Sequence, residues 1–418
     1  MTIKNRFVVA PLTIYESDAN GGLTDAARNF WRDRFRGFWL FVMPFTNVHP
    51  TGIGFPSPNA FDASHLPTLR EYTAISHEQG AKIVAQIAHA GSRANPLMTR
   101  GLSAVAPSAY GRVREMSSDE VAQMVQHFAH AAELALDAGL DGVEIHGANG
   151  WLIQQFVSAA TNLRQDQWGG SRENRFRFPL AVIDAIDEMR RRKNRPDFII
   201  GYPFSPEEPG ADGLTMADTL ALVDALAAKP LQYLHVSLWD FYKKARRDGN
   251  DEYRMKLIHQ RINGRLPFIG VGKLYTADDI AQAWETGWAE FIALGKTVML
   301  NPDLIELIAN GRDARRHAAG DGLLSAGEGV NNDRSGIYAR RFFKSVATCQ
   351  AFMPNLLAAH ATWQLLPALP TAARADLGWT ARTQSPGFPP YSRAFSPPAK
   401  CGRLSGQSAD VPFARRGG

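Results

Sequence analysis

Two cysteines, Cys349 and Cys401, are too few for a disulfide framework or a cysteine-built zinc site, and they fit a reducing, cytoplasmic setting. No metal is expected. No apolar run approaches the roughly 20 residues that span a bilayer, and Met1 leads straight into a mixed polar and apolar segment without the succession of a secretory signal. No membrane partner is expected either. The net charge of +5 lies wholly in residues 371–418, where seven Lys/Arg stand against two Asp/Glu. The body is therefore near neutral, no basic stripe lies on a reading element, and no nucleic-acid partner is expected. A dinucleotide fingerprint is lacking too, because 270-GVGK-273 carries Gly-x-Gly with no third glycine.

What is present is an ordinary globular body, 45% hydrophobic and 21% charged. Length allows either two average domains or one α/β barrel. Eight short, nearly continuous apolar runs decide for the barrel: 6-RFVVAPL-12, 39-WLFVMPF-45, 82-KIVAQIA-88, 142-GVEIHG-147, 198-FIIGYPF-204, 233-YLHVSL-238, 267-PFIGVG-272 and 290-EFIALG-295. Strands covered on both faces read this way. Between them lie amphipathic stretches such as 118-SDEVAQMVQHFAHAAELALDAG-139, with Ser118 placed to cap, and 215-TMADTLALVDALAAK-229, with Thr215 placed likewise. The alternation predicts parallel strands with crossover helices, a single (β/α)8 TIM barrel of the α/β class over residues 1–312. Residues 313–370 are expected to form a helical extension; its 333–366 stretch would cover either the barrel or a partner subunit of a homo-oligomer. Residues 371–418, rich in Pro, Ser and Gly (385-SPGFPPYSRAFSPPAK-400), are expected to be a disordered tail.

In such barrels chemistry sits at the carboxyl ends of the strands. The first run closes in Pro11, Leu12 and Thr13, the third holds Gln86, the fourth ends in His146, and the eighth in Gly295 and Lys296. Gly272 and Lys273 close the seventh. Glycines let backbone N–H groups approach an anion and lysines add charge, so the last two loops suggest a phosphate; the plainer alternative is glycines that only serve tight turns. His146 and Asn149 stand three residues apart in 146-HGANGWLIQQF-156, inside a run that otherwise reads as core. The next stretch, 162-NLRQDQWGGSRENRFRF-178, is polar and patterned in the manner of a site.

Together these strings resemble the old yellow enzyme family of FMN-dependent NAD(P)H oxidoreductases, especially its bacterial NADH:flavin oxidoreductase branch. The resemblance runs from about residue 3 to 310 and includes 4-KNRFVVAPLT-13, 81-AKIVAQIAHAGSRAN-95, 204-FSPEEPGADGLT-215, 233-YLHVSLWDFYKKARR-247 and 290-EFIALGK-296. It implies FMN as cofactor, NADH or NADPH as hydride donor, and a small-molecule acceptor. It implies that Pro11, Leu12 and Thr13 contact the flavin ring and that Gln86 pairs with its pyrimidine edge. Gly272, Lys273, Gly295 and Lys296 would hold the phosphate, with Lys296 in place of the family's arginine. His146 and Asn149 would hydrogen-bond the oxygen of a stacked ligand, and Tyr15 would face the substrate.

The same resemblance brings out departures. Trp151 stands where the family has a proton-donating tyrosine, and an indole N–H is no general acid near neutral pH. Pro203, in 201-GYPFSPEE-208, stands where the family places an arginine beside flavin N1. Phe45 replaces a small residue beneath the ring, within the aromatic-rich 36-RGFWLFVMPF-45. The chain also opens some way into the family pattern, so the strands that close the barrel floor are expected to be missing. These departures leave a second reading, a degenerate flavin-binding barrel with little or no turnover. A third, a barrel aldolase or lyase, needs a Schiff-base lysine within a strand, and Lys82 opens its strand at the wrong end. The basic cluster Lys243, Lys244, Arg246 and Arg247 reads either as a contact for the nicotinamide nucleotide or as a solvated loop.

Overall fold

The computed structural model describes residues 5–247 and 251–309. The expected helical extension beyond 312 and the tail beyond 370 lie outside them. Eight parallel strands close into a barrel: β1 (Phe7–Val9), β2 (Leu40–Asn47), β3 (Lys82–Ala88), β4 (Gly142–Ile145), β5 (Ile199–Phe204), β6 (Tyr233–Val236), β7 (Phe268–Gly270) and β8 (Phe291–Leu294). Each falls on one of the eight apolar runs. The barrel shuts where β1 pairs with β8, Val8 opposite Ala293, and with β2, Val8 opposite Leu40.

Around it run α1 (Asp25–Trp31), α2 (Leu66–Glu78), α3 (Ser118–Asp137), α4 (Leu152–Val157), α5 (Arg172–Arg192), α6 (Met216–Ala227), α7 (Arg254–Ile262), α8 (Ala277–Glu285), α9 (Lys296–Leu300) and α10 (Leu304–Ala309). Their starts follow from side-chain chemistry. Thr215 accepts from the Asp218 N–H and caps α6 as expected. At α3 the cap is Ser117 rather than Ser118: Ser117 and Glu120 form a reciprocal capping box, which frees the Ser118 hydroxyl to donate to Asp166. Two serines in a row made either reading possible, and the glutamate three residues on from Ser117 decides it.

Because side chains alternate along a strand, the barrel builds two cores. Outward residues such as Phe41, Ile83, Val143, Tyr202 and Leu234 join the helices in the larger one. Inward residues Val8, Leu40, Val42, Val84, Ile199, Tyr233, Ile269 and Phe291 fill the barrel itself. Each such side chain contributes roughly 1.5–3 kcal/mol by leaving water. Trp39 and Phe291 stack at 4.8 Å within this interior cluster, near the amino-terminal end. No helix among the described residues is long and apolar enough to cross a membrane.

Candidate active site

The inward column of β4 changes character as it climbs. Glu144 is fully buried, a carboxylate in the middle of the barrel. Burial pushes its pKa up, but the His235 charge and three hydrogen bonds more than offset this, so the group lies below its ordinary value. The donors come from the neighbouring strands: Gln86 Nε2 at 2.8 Å from β3, Tyr233 Oη at 2.9 Å and His235 Nδ1 at 3.0 Å from β6. Gly201 is what lets the phenol reach it, since a Cβ there would lie 2.1 Å from the Tyr233 ring. The bond to Glu144 takes one N–H of the Gln86 amide and leaves its second N–H and its carbonyl oxygen to offer elsewhere. The isolated Glu in 142-GVEIHG-147 was the sequence signal for this network, and it passed unread.

One turn of the pleat higher, His146 is 4% exposed. Burial pushes its pKa down to about 4, with Glu144 opposing, so it is neutral at pH 7. The Ala148 N–H donates to its Nδ1 at 3.3 Å. The ring proton therefore sits on Nε2, which makes Nε2 a donor. Asn149 follows in a left-handed conformation, φ +60°. Its N–H donates to Ser205 Oγ at 2.9 Å, its Oδ1 accepts from Ser237 Oγ at 2.8 Å, and its carbonyl accepts from Arg93 Nη1 at 3.0 Å. Every polar group but the Nδ2 amide is thus engaged among the described residues. The two glutamines of 146-HGANGWLIQQF-156 pin the turn: Gln154 Oε1 accepts from the Gly150 N–H and Gln155 Nε2 donates to the Gly150 carbonyl. Ser205, Ser237, Arg93 and both glutamines were missed by sequence reasoning, because their partners lie up to 88 residues away.

Beside these donors stands an aromatic wall. Phe45 packs edge-on to His146 (5.9 Å), Trp151 (5.2 Å) and Phe55 (5.0 Å), and Tyr15 meets Phe55 at 5.5 Å. Tyr15 has φ +59° and a pKa raised by burial. Trp151 is the residue before α4 and half-buried.

On the opposite side of the mouth, the loops after β1, β7 and β8 meet. A Cβ on Gly295 would lie 3.3 Å from Leu12 Cδ2, so these two positions touch. Thr297 Oγ1 donates to the Leu274 carbonyl at 2.8 Å and ties the loop carrying Gly272 and Lys273 to the start of α9. Gly272 has φ +131°, and a Cβ there would strike the backbone nitrogens of Asp240 and Phe241 at 2.7 Å, so only glycine serves. Lys296 is exposed with Nζ 6.0 Å from the Tyr275 ring, whereas Lys273 faces Asp240 at 3.4 Å. Pro11 and Thr13 are half-buried beside Leu12.

A phosphorylated planar group fits this donor set. The N–H groups of Lys296 and Thr297, without a partner among the described residues, two lysines, the Gln86 amide and small inward residues, Ala10 and Ala293, line one mouth. Phe45 narrows it, and Pro203, opposite His235 in the strand register, gives it no donor.

Other expectations need correction. The stretch 162–178 works as a clamp among the described residues: Asn162 Nδ2 donates to the carbonyls of Phe156 and Trp168, Arg164 holds the carbonyls of Pro107 and Met116, and Ser171 caps α5. In the basic cluster, Arg247 bonds four carbonyls between Glu208 and Gly213, and Lys244 pairs with Asp251, so these two serve the loop itself. Lys82 is paired with Asp141 at 2.6 Å, so the aldolase reading has no lysine to use there. Among the described residues no group of His, Cys, Asp and Glu could hold a metal.

Comparison with known proteins agrees with this architecture. The family model of the NADH:flavin oxidoreductase / NADH oxidase family matches residues 1–315. The "Probable NADH-dependent flavin oxidoreductase YqiG" of Bacillus subtilis (strain 168) is 39% identical over 320 residues, 75% of this chain and 86% of that protein. Longer relatives exist, of which the chain spans about a third, 31% and 35%. Among solved structures, morphinone reductase in complex with tetrahydroNAD matches with TM-score 0.63 and 28% identity, over 74% of this chain and 88% of that one. The old yellow enzyme homologue from Zymomonas mobilis shares the fold, with TM-score 0.65 and 24% identity over 75% of this chain and 90% of that one. On these matches, the chain belongs to the NADH:flavin oxidoreductase / NADH oxidase family.

Proposed function

We propose that the chain is an FMN-dependent NAD(P)H oxidoreductase of the ene-reductase type, acting on an activated alkene, quinone or nitro acceptor. When bound, FMN supplies the hydride chemistry, with NADH or NADPH as the donor. Pro11, Leu12, Thr13 and Gln86 hold its ring, and Gly272, Lys273, Gly295 and Lys296 its phosphate. Lysine is a point charge without arginine's two-pronged geometry, so Lys296 contributes attraction more than orientation.

The observation that carries this reading is the pair of free donors. Among the described residues His146 Nε2–H and the Asn149 Nδ2 amide have no protein partner, and the rest of each side chain is fixed. Negative charge builds on the acceptor's activating oxygen as hydride reaches the carbon β to it, and donors already in place stabilise that charge without reorganising. Tyr15 and the aromatic wall bound the acceptor. Trp151 bounds it too but cannot release a proton, so the α-carbon takes its proton from solvent.

Steady-state reduction of a cyclic enone tests the roles. His146→Ala or Asn149→Ala should lower kcat/KM by roughly 10²-fold or more, with flavin reduction by NAD(P)H much less affected. Equal loss in both half-reactions would remove the pair from acceptor binding. A degenerate barrel finds no support in the relatives, which are named as oxidoreductases and reductases. We place the protein in the cytosol with small-molecule partners alone, no nucleic acid and no membrane, consistent with its two cysteines and its near-neutral body. A homo-oligomer is the further partner proposed, and sedimentation of the full chain tests it.

A further inference from the structure

The rim carries one more group that these roles leave unused. Arg93, in the turn after β3, is exposed, yet two contacts hold its guanidinium and a glycine leaves it room. Nη1 donates to the Asn149 carbonyl at 3.0 Å, the group lies over the Trp151 ring at 5.6 Å, and a Cβ on Gly150 would lie only 2.8 Å from Nη2. Gly150 (φ +69°) thus opens the space that the guanidinium occupies. The turn itself is held from below, by the Ser92 N–H donating to Gln155 Oε1 at 3.0 Å and by Gln155 Nε2 on the Ala90 carbonyl.

Among the described residues Arg93 makes this single hydrogen bond and no ion pair, although most arginines of the barrel find a carboxylate or several carbonyls, as Arg164 and Arg247 do. A surface arginine that only solvates its loop has no need of a ring beneath it and a glycine beside it. The contacts also chain directly to the donors: Arg93 lies on Trp151, Trp151 on Phe45, and Phe45 on His146. A cation with free, planar N–H groups therefore stands across an apolar wall from two neutral donors. A planar guanidinium presents paired N–H bonds that match a carboxylate.

We propose that Arg93 is a specificity residue for acceptors that carry a carboxylate at the end remote from the oxygen held by His146 and Asn149. The proposal rests on the ene-reductase reading of the same site. The anion could also be a phosphate of the nicotinamide nucleotide, and the geometry favours the acceptor, because Arg93 is held by the same Asn149 turn that presents the acceptor's donor.

The test uses the flavin-loaded full chain and two ligands of equal shape, 4-hydroxybenzoate and its methyl ester, titrated by calorimetry and by perturbation of flavin absorbance. The wild type should bind the acid at least about tenfold more tightly than the ester. Arg93→Gln keeps an amide donor for the Asn149 carbonyl and should raise the acid's Kd about ten- to a hundredfold while the ester's moves by less than about twofold. Arg93→Lys, which keeps the charge but not the planar fork, should keep only part of the difference. Equal weakening of both ligands would mean that Arg93 only braces the turn, and no change in either would mean a solvated rim; each outcome overturns the proposal. So would a rise in the concentration of NADH or NADPH needed for half-maximal flavin reduction with the acid–ester ratio intact. Flavin content, measured separately, tests the enzymatic reading, and the acid–ester ratio of the flavin-loaded protein tests Arg93, so the two failures are told apart.

Discussion

At the scale of single residues, the positions that depart from the family pattern are the ones with clear chemical consequences. Pro203 lines the barrel opposite His235 and can present no hydrogen-bond donor. Pro203→Arg should stabilise the reduced cofactor by about 1.5–3 kcal/mol, which for a two-electron couple raises its potential by roughly 30–60 mV. Potentiometric titration of both proteins reads this, and an unchanged potential in a flavin-loaded variant would show that another group already supplies the cation. Trp151→Tyr should likewise speed turnover of those enones whose α-carbon protonation limits the rate, seen as a solvent isotope effect that shrinks in the variant. At this scale the sequence was legible wherever an unusual residue stood at or near a strand end, as His146 and Gln86 do. It was not legible for Ser205, Ser237 and Arg93, whose hydroxyls and guanidinium acquire meaning only when three separate strand ends converge on Asn149.

At the scale of elements, β-strands were easy to read because each is covered on both faces and so continuously apolar. The exceptions inside them carried the information. Glu144 interrupts β4 and recruits one side chain from β3 and two from β6, so three strands share one buried carboxylate. Loops were harder, since polarity alone does not tell what a loop is for: the run 162–178 spends Asn162, Arg164 and Arg175 on backbone carbonyls. The loop after β7 allows a sharp test. Gly272→Ala places a methyl against the backbone of Asp240 and Phe241 in a conformation that alanine rarely adopts. It should cost at least about 1–3 kcal/mol and loosen the FMN phosphate, so thermal melting and flavin retention should fall together. A variant with normal melting and normal retention would separate this loop from the phosphate. At α3, Ser117→Ala should cost about 1 kcal/mol with no effect on flavin, by loss of the cap alone.

At the scale of the whole molecule, the described barrel holds several imidazoles neutral. Burial pushes His89 down to about 3 and His146 to about 4. His89 closes a directed chain: its Nδ1 accepts from the Gly91 N–H, so its Nε2 donates to Thr51 Oγ1, which in turn bonds His49 Nδ1. Unfolded, these groups titrate near 6.5, so between there and about 4 the unfolded chain binds more protons, and stability is lost as pH falls through that window. Each buried imidazole removes up to about 1.4 kcal/mol per pH unit. Denaturant unfolding at a series of pH values should show this slope, and His89→Asn should lower it by about one proton; a flat profile below pH 6.5 would mean that these rings are protonated in the fold. The eight-stranded architecture was visible in the sequence because hydrophobic periodicity is a property of the entire chain, while the site emerged only from where the barrel brings its strand ends. The central claim, that this barrel moves hydride from a nicotinamide through FMN to an activated acceptor, meets its most direct test in one anaerobic experiment on the purified protein. The account predicts a yellow protein whose flavin band bleaches on mixing with NADH or NADPH and returns on adding a cyclic enone, with the saturated ketone as product. A colourless protein that takes up no FMN, or a yellow one whose band the nicotinamide leaves untouched, would contradict it.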